Sequence, residues 1–349
     1  MRPPAPPAPA RPDVPVLLDR TGRVARDLRV SLTDRCNLRC AYCLPAEGTA
    51  WLPAPTLLTD AEVGRLVRVA VTRLGVTGVR FTGGEPLLRP GLVDIVAAAA
   101  ALTPRPRLSL TTNALGLAAR AADLRAAGLD RVNVSLDTLD PDRFAALTRR
   151  RRLDDTLAGL AAAAAAGLAP VKINSVLLRG VNEDEAPALL RFALDHGYHL
   201  RFIEQMPLDA GHTWRRAQMV TADEILDRLR AHVPLVPDPA ARGAAPAERW
   251  QVPGYRDAAG APATVGVIGS VTRPFCAACD RTRLTADGQV RSCLFARTET
   301  DLRGPLRAGA DDEALAAAWR AAMWPKAPGH GIDDAGFAPP DRPMSAIGG

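Results

Sequence analysis

Cys36-Asn37-Leu38-Arg39-Cys40-Ala41-Tyr42-Cys43 sets three thiols at the spacing C-x3-C-x2-C, just past an apolar run at 28–32. A loop of this length wraps one cubic iron–sulfur cluster, with each thiolate on a different iron. Three protein ligands leave the fourth iron open to a small molecule. A structural zinc ion needs a closed set of four Cys or His ligands. The histidines, His196, His199, His212, His232 and His330, all lie far from this loop in sequence. Exposed thiols without a metal would oxidise.

Outward from the loop, short β-rich runs alternate with helical stretches from residue 28 to about 205. Strands are predicted at 28–32, 78–82, 107–111, 131–136, 171–176 and 200–204, each short and apolar or β-branched, as buried parallel strands are. Helices are predicted between them at 63–74, 92–102, 117–127, 154–166 and 183–196. Thr59 and Glu62 form a capping box ahead of the first, and Gly75 ends it. Such βα units with short connections predict an α/β fold, a partial (β/α)6 TIM-type barrel; the two further units of a closed eightfold barrel are not evident. Chemistry in such folds sits at the C-terminal ends of the strands. Cys36, Gly83-Gly84-Glu85-Pro86, Thr112-Asn113, Asp137 and Met206 each follow a predicted strand.

Past residue 205 the texture changes. Thr221 and Glu224 cap a helix running to about 230, and 233–262 is rich in Pro, Ala and Gly. Strands are predicted at 264–268, 283–286 and 289–292, with Asp287-Gly288 as a hairpin turn between the last two, and a helix at 311–323. The expected organisation is a disordered Pro-rich leader at 1–18, a barrel at 19–232, and a smaller α+β region at 233–349.

That last region holds the other three cysteines, Cys276, Cys279 and Cys293. The first residues contain no apolar h-region, so no export signal is expected, and a chain of this size needs no disulfide staples; thiols grouped in threes therefore point to metal. The hairpin returns Cys293 towards the Cys276–Cys279 pair. Taken alone, this group fits a second open cluster and zinc equally well. Arg281 and Arg283 follow, two apart on a predicted strand and therefore on one face. Two guanidiniums on one face clamp a phosphate or a nucleobase; a solvated strand edge is the plainer alternative. The net charge of +6 favours anionic partners without naming one. The run Arg149-Arg150-Arg151-Arg152 reads as a solvated helix flank or as a contact to something anionic. No apolar run reaches the roughly 18 residues that span a bilayer, and a cytoplasmic location is expected.

The cysteine loop, with Tyr42 before its third cysteine and Gly83-Gly84-Glu85-Pro86 after the second strand, resembles the radical S-adenosylmethionine (SAM) enzymes. Three further stretches narrow the likeness: Arg26-Asp27-Leu28-Arg29-Val30-Ser31-Leu32-Thr33-Asp34-Arg35-Cys36, Phe275-Cys276-Ala277-Ala278-Cys279-Asp280-Arg281-Thr282-Arg283-Leu284, and the terminal Ile347-Gly348-Gly349. Together they are similar to the GTP 3′,8-cyclase family of molybdenum cofactor biosynthesis, from about residue 19 to the C-terminus.

The resemblance implies a lyase. SAM is cleaved reductively to a 5′-deoxyadenosyl radical, which removes the ribose C3′ hydrogen of GTP. A C3′–C8 bond then forms, giving (8S)-3′,8-cyclo-7,8-dihydroguanosine 5′-triphosphate. The resemblance implies two 4Fe–4S clusters, one on Cys36, Cys40 and Cys43 and one on Cys276, Cys279 and Cys293. By the same likeness Tyr42, Gly84, Ser135 and Met206 hold SAM. Arg29, Arg80, Thr111, Lys172, Arg281, Arg283 and the backbone of Thr282 meet GTP. Arg281, Arg283 and the tail glycines Gly348 and Gly349 take catalytic roles. The implied partners are an electron donor of the flavodoxin or ferredoxin type, a cyclic pyranopterin monophosphate synthase that receives the product, and a second copy of the chain. No membrane or nucleic acid is implied. The chain departs from the family pattern at its leader, at Ala114 where glycine is usual, in the Arg149–Arg152 run and over 325–343.

Two other readings predict different things. A peptide-modifying radical SAM enzyme with an auxiliary cluster would want a peptide groove and more C-terminal cysteines. A zinc-bearing nucleic-acid-binding module would be colourless and would leave Gly83-Gly84-Glu85-Pro86 without a role.

Overall fold

In a computed structural model describing residues 10–348, the chain builds one sheet. Its strands are β1 (Asp27–Ser31), β2 (Gly78–Thr82), β3 (Arg107–Thr112), β4 (Arg131–Ser135), β5 (Lys172–Val176), β6 (His199–Ile203), β7 (Val236–Pro237), β8 (Glu248–Arg256), β9 (Pro262–Ile268), β10 (Arg281–Leu284), β11 (Gln289–Arg291) and β12 (Thr300–Asp301). The barrel strands alternate, and the two sets of side chains serve opposite faces. Leu28 and Val30, Val79 and Phe81, Leu108 and Leu110, Val132 and Val134, and Leu200 and Phe202 all join the main apolar core. Between them sit Arg29, Arg80, Ser109, Asn133 and Arg201. The strands are therefore apolar towards the helices and polar towards the lumen, rather than apolar on both faces.

The helices that cover the apolar face are α1 (Asp60–Leu74), α2 (Leu92–Ala100), α3 (Ala121–Ala126), α4 (Pro141–Thr148), α5 (Leu153–Ala165), α6 (Ala186–Asp195), α7 (Ala222–Arg230), α8 (Arg303–Arg307) and α9 (Asp312–Met323); a last turn, α10 (Met344–Ile347), ends the described chain. The expected capping boxes of α1 and α7 are both formed, and Gly75 closes α1 in the left-handed conformation. The helix expected over 117–127 is only α3, after a series of turns. The sequence reading missed α4, although its start was written: Asp140 accepts from the backbone of Asp142 and Arg143, and Pro141 opens the first turn. Among the described residues no helix is long and apolar enough to cross a membrane.

The sheet order is β12-β11-β10-β1-β2-β3-β4-β5-β6-β9-β8-β7. Strands β1 to β6 pair in parallel succession, as a partial (β/α)6 barrel requires. The C-terminal region then adds a parallel strand at each side, β10 against β1 and β9 against β6. Antiparallel pairs finish both edges, so the sheet stays open. The expected boundary at 232/233 is thus no break in the sheet. The Pro- and Gly-rich stretch also hides β8, whose pairing with β9 is irregular between Gln251 and Arg256, where Pro253 and Gly254 fall. Glu204, wholly buried after β6, ties this addition to the barrel: it accepts from the backbone of Ala222 at the start of α7 and of Val271 and Thr272 after β9.

Two details differ from expectation. Within the stretch 1–18 expected as a disordered leader, Leu17 is wholly buried in the main core, and Leu18 pairs antiparallel with Val24. An apolar residue following a Pro-rich tract found a core to enter. Residues 1–9 of the expected leader lie outside the described residues. Ala114 keeps glycine-like geometry at a φ of 66°, and Gly159 of α5 makes room for it, since a Cβ there would stand 2.6 Å from the Ala114 carbonyl oxygen. Leu17→Ala is expected to cost about 2–4 kcal/mol, read by chemical denaturation; a loss near zero would mean that the segment does not pack on the barrel.

Candidate active site

The loop after β2 grips the loop after β1. Gly84 N–H donates to the Thr33 carbonyl at 2.7 Å, and Glu85 N–H to the Arg35 carbonyl at 2.7 Å. A Cβ on Gly84 would stand 2.3 Å from the Arg35 oxygen and 2.5 Å from the Asp34 oxygen, so only glycine permits the approach. The Glu85 side chain reaches on to the third loop, accepting from Thr112 Oγ1 at 2.7 Å and Asn113 N–H at 2.7 Å. Burial pushes its carboxyl up to about 7 despite these donors. Asn113 closes the circle by donating to Asn37 Oδ1 at 2.7 Å, inside the cysteine loop.

Arg149 supports this loop from behind, donating to the carbonyls of Arg39 at 2.8 Å and Leu44 at 3.1 Å. Arg151 and Arg152 pair instead with Asp142 and Asp155 at the surface. The basic run is thus mostly solvated flank, with one member recruited to the cysteines.

All six cysteines are free and half-buried. Burial pushes the Cys36 thiol up to about 11; it also raises Cys43 to about 12, helped by Cys36, and lifts Cys40 well above its ordinary value, helped by Asp137, Cys43 and Cys36. A cationic group between them would favour the thiolate forms. Three thiols and no fourth protein ligand fit an iron–sulfur cluster with an open iron. Among the described residues no group of three or more His, Cys, Asp or Glu is arranged to hold a single metal ion. In the second trio burial raises Cys276, aided by Cys293. Burial opposes ionisation of Cys279 as well, but Lys326 and Arg281 outweigh it and bring this thiol down.

Above the first trio opens a cavity of about 250 Å³. Cys36, Cys40 and Cys43 line it with Tyr42, Gly84, Thr111, Ser135 and Met206. Residues from five strand ends are therefore brought to one space. Tyr42 donates its hydroxyl to Asp137 Oδ2 at 2.6 Å, and Val176 N–H donates to Asp137 Oδ1 at 2.8 Å. Burial pushes Asp137 up to about 6.

Deeper in the lumen lies a group of cations. Arg29 sits in register between Arg80 on β2 and Arg283 on β10, and Arg281 lies opposite Asp27. Arg29, Arg80, Arg281 and Arg283 are all buried. The sequence reading did not name Arg131 and Arg201, which press on the same group. Their signal was parity: each occupies a lumen position of a predicted strand. Arg201 donates to Asn133 Oδ1 at 2.8 Å, while the Nε atoms of Arg80, Arg131 and Arg201 are buried without a partner. Among the described residues the one ion pair in the group joins Arg29 to Asp27 at 2.8 Å. Burial opposes ionisation of Asp27, but Arg29 and Arg80 hold its carboxyl at about 2. Arginine keeps its proton in proteins, so Lys172 is the member able to shed charge; burial, then Arg201 and Arg131, push its ammonium down to about 7. The Thr282 side chain turns away from the lumen and accepts from Trp319 Nε1 at 2.9 Å, leaving its backbone between the two arginines.

The C-terminal tail enters the same lumen, a path the sequence left open. Arg342 forks onto Asp287 at 2.9 and 2.8 Å, and Met344 N–H donates to the Leu208 carbonyl at 3.0 Å. The Gly348 carbonyl accepts from Arg283. Gly348 has a φ of 77°, and a Cβ there would stand 2.9 Å from Thr82 Cγ2. Gly349 lies outside the described residues. Because Gly84 packs on backbone that cannot yield, Gly84→Ala is expected to cost at least about 3 kcal/mol and to lower iron content. Thermal denaturation and iron analysis check this; an unchanged melting temperature with full iron would contradict the packing.

Residues 30–193 match the Radical SAM superfamily, and residues 198–332 match the family Molybdenum Cofactor Synthesis C. A GTP 3′,8-cyclase of Mycobacterium sp. (strain KMS) is 63% identical over 343 residues, covering 98% of this chain and 96% of the relative. Another, of Streptomyces coelicolor, is 65% identical over 335 residues, 96% of each chain. Among solved structures, Streptococcus suis SuiB bound to S-adenosylmethionine shares the fold, with a TM-score of 0.57 at 15% identity over 84% of this chain and 68% of that one. With the cysteine loop, the glycine contact and the lumen cations in place, these near-complete matches show that the chain belongs to the GTP 3′,8-cyclase family of radical SAM enzymes.

Proposed function

We propose that this chain is the lyase that converts GTP into (8S)-3′,8-cyclo-7,8-dihydroguanosine 5′-triphosphate, the first step of molybdenum cofactor biosynthesis. The observation that carries the reading is the cation group: buried Arg29, Arg80, Arg281 and Arg283 and half-buried Arg131, Lys172 and Arg201 face one lumen with a single ion-paired carboxylate among the described residues. Burying unpaired charge is costly, and a triphosphate offsets it. A neutral peptide would not.

When bound, a 4Fe–4S cluster on Cys36, Cys40 and Cys43 and SAM supply the radical that takes the ribose C3′ hydrogen. The chain's own residues do the rest. Gly84 offers backbone to SAM, while Tyr42, Ser135 and Met206 line its place beside the cysteines. Arg80, Lys172 and Arg201 anchor phosphates, with Arg29 beside them and Thr111 at the cavity floor. Guanidinium forks fix orientation as well as charge. That remote anchoring holds C3′ close to C8. Arg281 and Arg283 face the guanine beside the second trio. Cys276, Cys279 and Cys293 hold a second 4Fe–4S cluster there. Gly348 brings the described tail to the lumen, where its carbonyl positions Arg283, and a catalytic role is assigned to Gly348 and Gly349 together. A flavodoxin- or ferredoxin-type donor supplies electrons, cyclic pyranopterin monophosphate synthase takes the product, and the chain pairs with a second copy.

Incubated anaerobically with SAM, reductant and GTP, the reconstituted protein is expected to consume GTP and give the cyclised triphosphate by mass analysis. Formation of 5′-deoxyadenosine with GTP unchanged would sink the substrate assignment. Iron and sulfide near eight each per chain fit two clusters, and about four would remove the second.

Lys172 gives the site a pH signature. A triphosphate favours the ammonium, so binding draws in a proton above about pH 7 and weakens as pH rises through that value. Calorimetry at pH 8 in buffers of different ionisation heat is expected to show proton uptake that Lys172→Met abolishes. Without ligand the same variant is expected to melt higher than the parent. The folded pKa lies below the unfolded one, so this gain is largest below about pH 7, where the lysine is charged in both states, and fades as pH rises further. Equal uptake in both proteins would remove Lys172 from the triphosphate site.

A further inference from the structure

Lys326 is 4% exposed, past the end of α9, yet among the described residues it has no carboxylate partner. Its ammonium donates to the Arg281 carbonyl at 2.8 Å, to the Cys279 carbonyl at 3.3 Å and to Cys279 Sγ at 3.4 Å. A buried cation without a carboxylate needs some other counter-charge, and the one within reach is the thiolate of Cys279. Arg281 Nη1 also approaches this sulfur, at 3.8 Å. That guanidinium is already directed at the lumen, whereas nothing in the proposed reaction uses Lys326.

The lysine is held in place from two sides. Its own N–H donates to the Met323 carbonyl at 3.1 Å, which fixes it to α9, and α9 is in turn fastened to β10 through Trp319 and Thr282. From the N-terminal side Arg23, paired with buried Asp19 at 2.6 Å, donates to the Ala327 carbonyl at 2.7 Å, the Pro328 carbonyl at 3.0 Å and the Cys276 carbonyl at 2.6 Å. One guanidinium thus joins the segment that carries Lys326 to the loop that carries the cysteines.

We propose that Lys326 is a positioning residue that serves as the fixed counter-charge of Cys279 and raises the reduction potential of the cluster on the second trio. The inference rests on reading Cys276, Cys279 and Cys293 as cluster ligands. Reduction adds an electron whose charge is shared with the ligating sulfurs. A cation hydrogen-bonded to one of them stabilises the reduced form more than the oxidised form. Burial strengthens the effect by excluding water.

The test is potentiometry followed by electron paramagnetic resonance, in full-length protein carrying Cys36→Ala, Cys40→Ala and Cys43→Ala so that only the second trio reports. Lys326→Met is expected to shift the midpoint to a more negative potential, and Lys326→Arg to stay near the parent. A residue that merely caps the carbonyl at Arg281 would change the melting temperature and leave the potential alone, so an unshifted midpoint in Lys326→Met with full iron overturns the proposal. If Lys326→Met does not retain its cluster, Lys326→Gln, which keeps a donor but no charge, carries the comparison with the same expected shift, and an unshifted midpoint there is equally fatal. An iron-free parent in the triple-alanine background overturns the cluster reading itself, a result distinct from failure of the lysine alone.

Discussion

Like charges buried side by side repel, and the lumen of this barrel holds Arg80, Arg29 and Arg283 at matching register positions on three adjacent strands. No side-chain preference would gather them. The parallel ladder does, because register is set by the outward-facing Leu, Val and Phe residues that pack on the helices. Apolar burial outside the sheet thus supports the electrostatic cost within it. The Nε atoms of Arg80, Arg131 and Arg201 are buried without a partner, so hydrogen-bonding capacity is left unused there.

The radical end of the site is built by backbone rather than charge. Loops after β1, β2 and β3 hold one another through Gly84, Glu85 and Asn113, so the three thiols sit on a scaffold of short hydrogen bonds. Glycine is required because backbone meets backbone there. Arg149 extends this scaffold to the end of α4. The two halves of the site therefore obey different physics on the same strands: close packing at the tips and unbalanced charge further in.

The C-terminal region is part of the barrel rather than an appendage. It contributes β9 and β10 to the two sides of the parallel run, Arg281 and Arg283 to the lumen, and a tail to the cavity. Pro253 and Gly254 made β8 look like a loop, because its irregular pairing tolerates residues that a regular inner strand would exclude. Leu17 has Pro-rich neighbours yet joins the core, because burial depends on a partner surface that local composition does not contain. Arg131 and Arg201 were legible by parity, since each alternates with the apolar residues that pack on the helices, but their mutual proximity depends on the sheet that joins their strands.

Sequence alone determined what is local in this protein. The C-x3-C-x2-C loop, the Gly83–Pro86 turn, the two capping boxes and the alternation of strand and helix each depend on residues close along the chain, whose chemistry is complete within a few positions. Tertiary structure decided what requires distant segments to meet. It set Arg283 against the Gly348 carbonyl, Lys326 against Cys279, and Arg23 against the Cys276 carbonyl of the second trio. The physical reason is that a thiol or a guanidinium has its chemistry from its own atoms, but its charge state and its partner come from whatever the fold buries beside it.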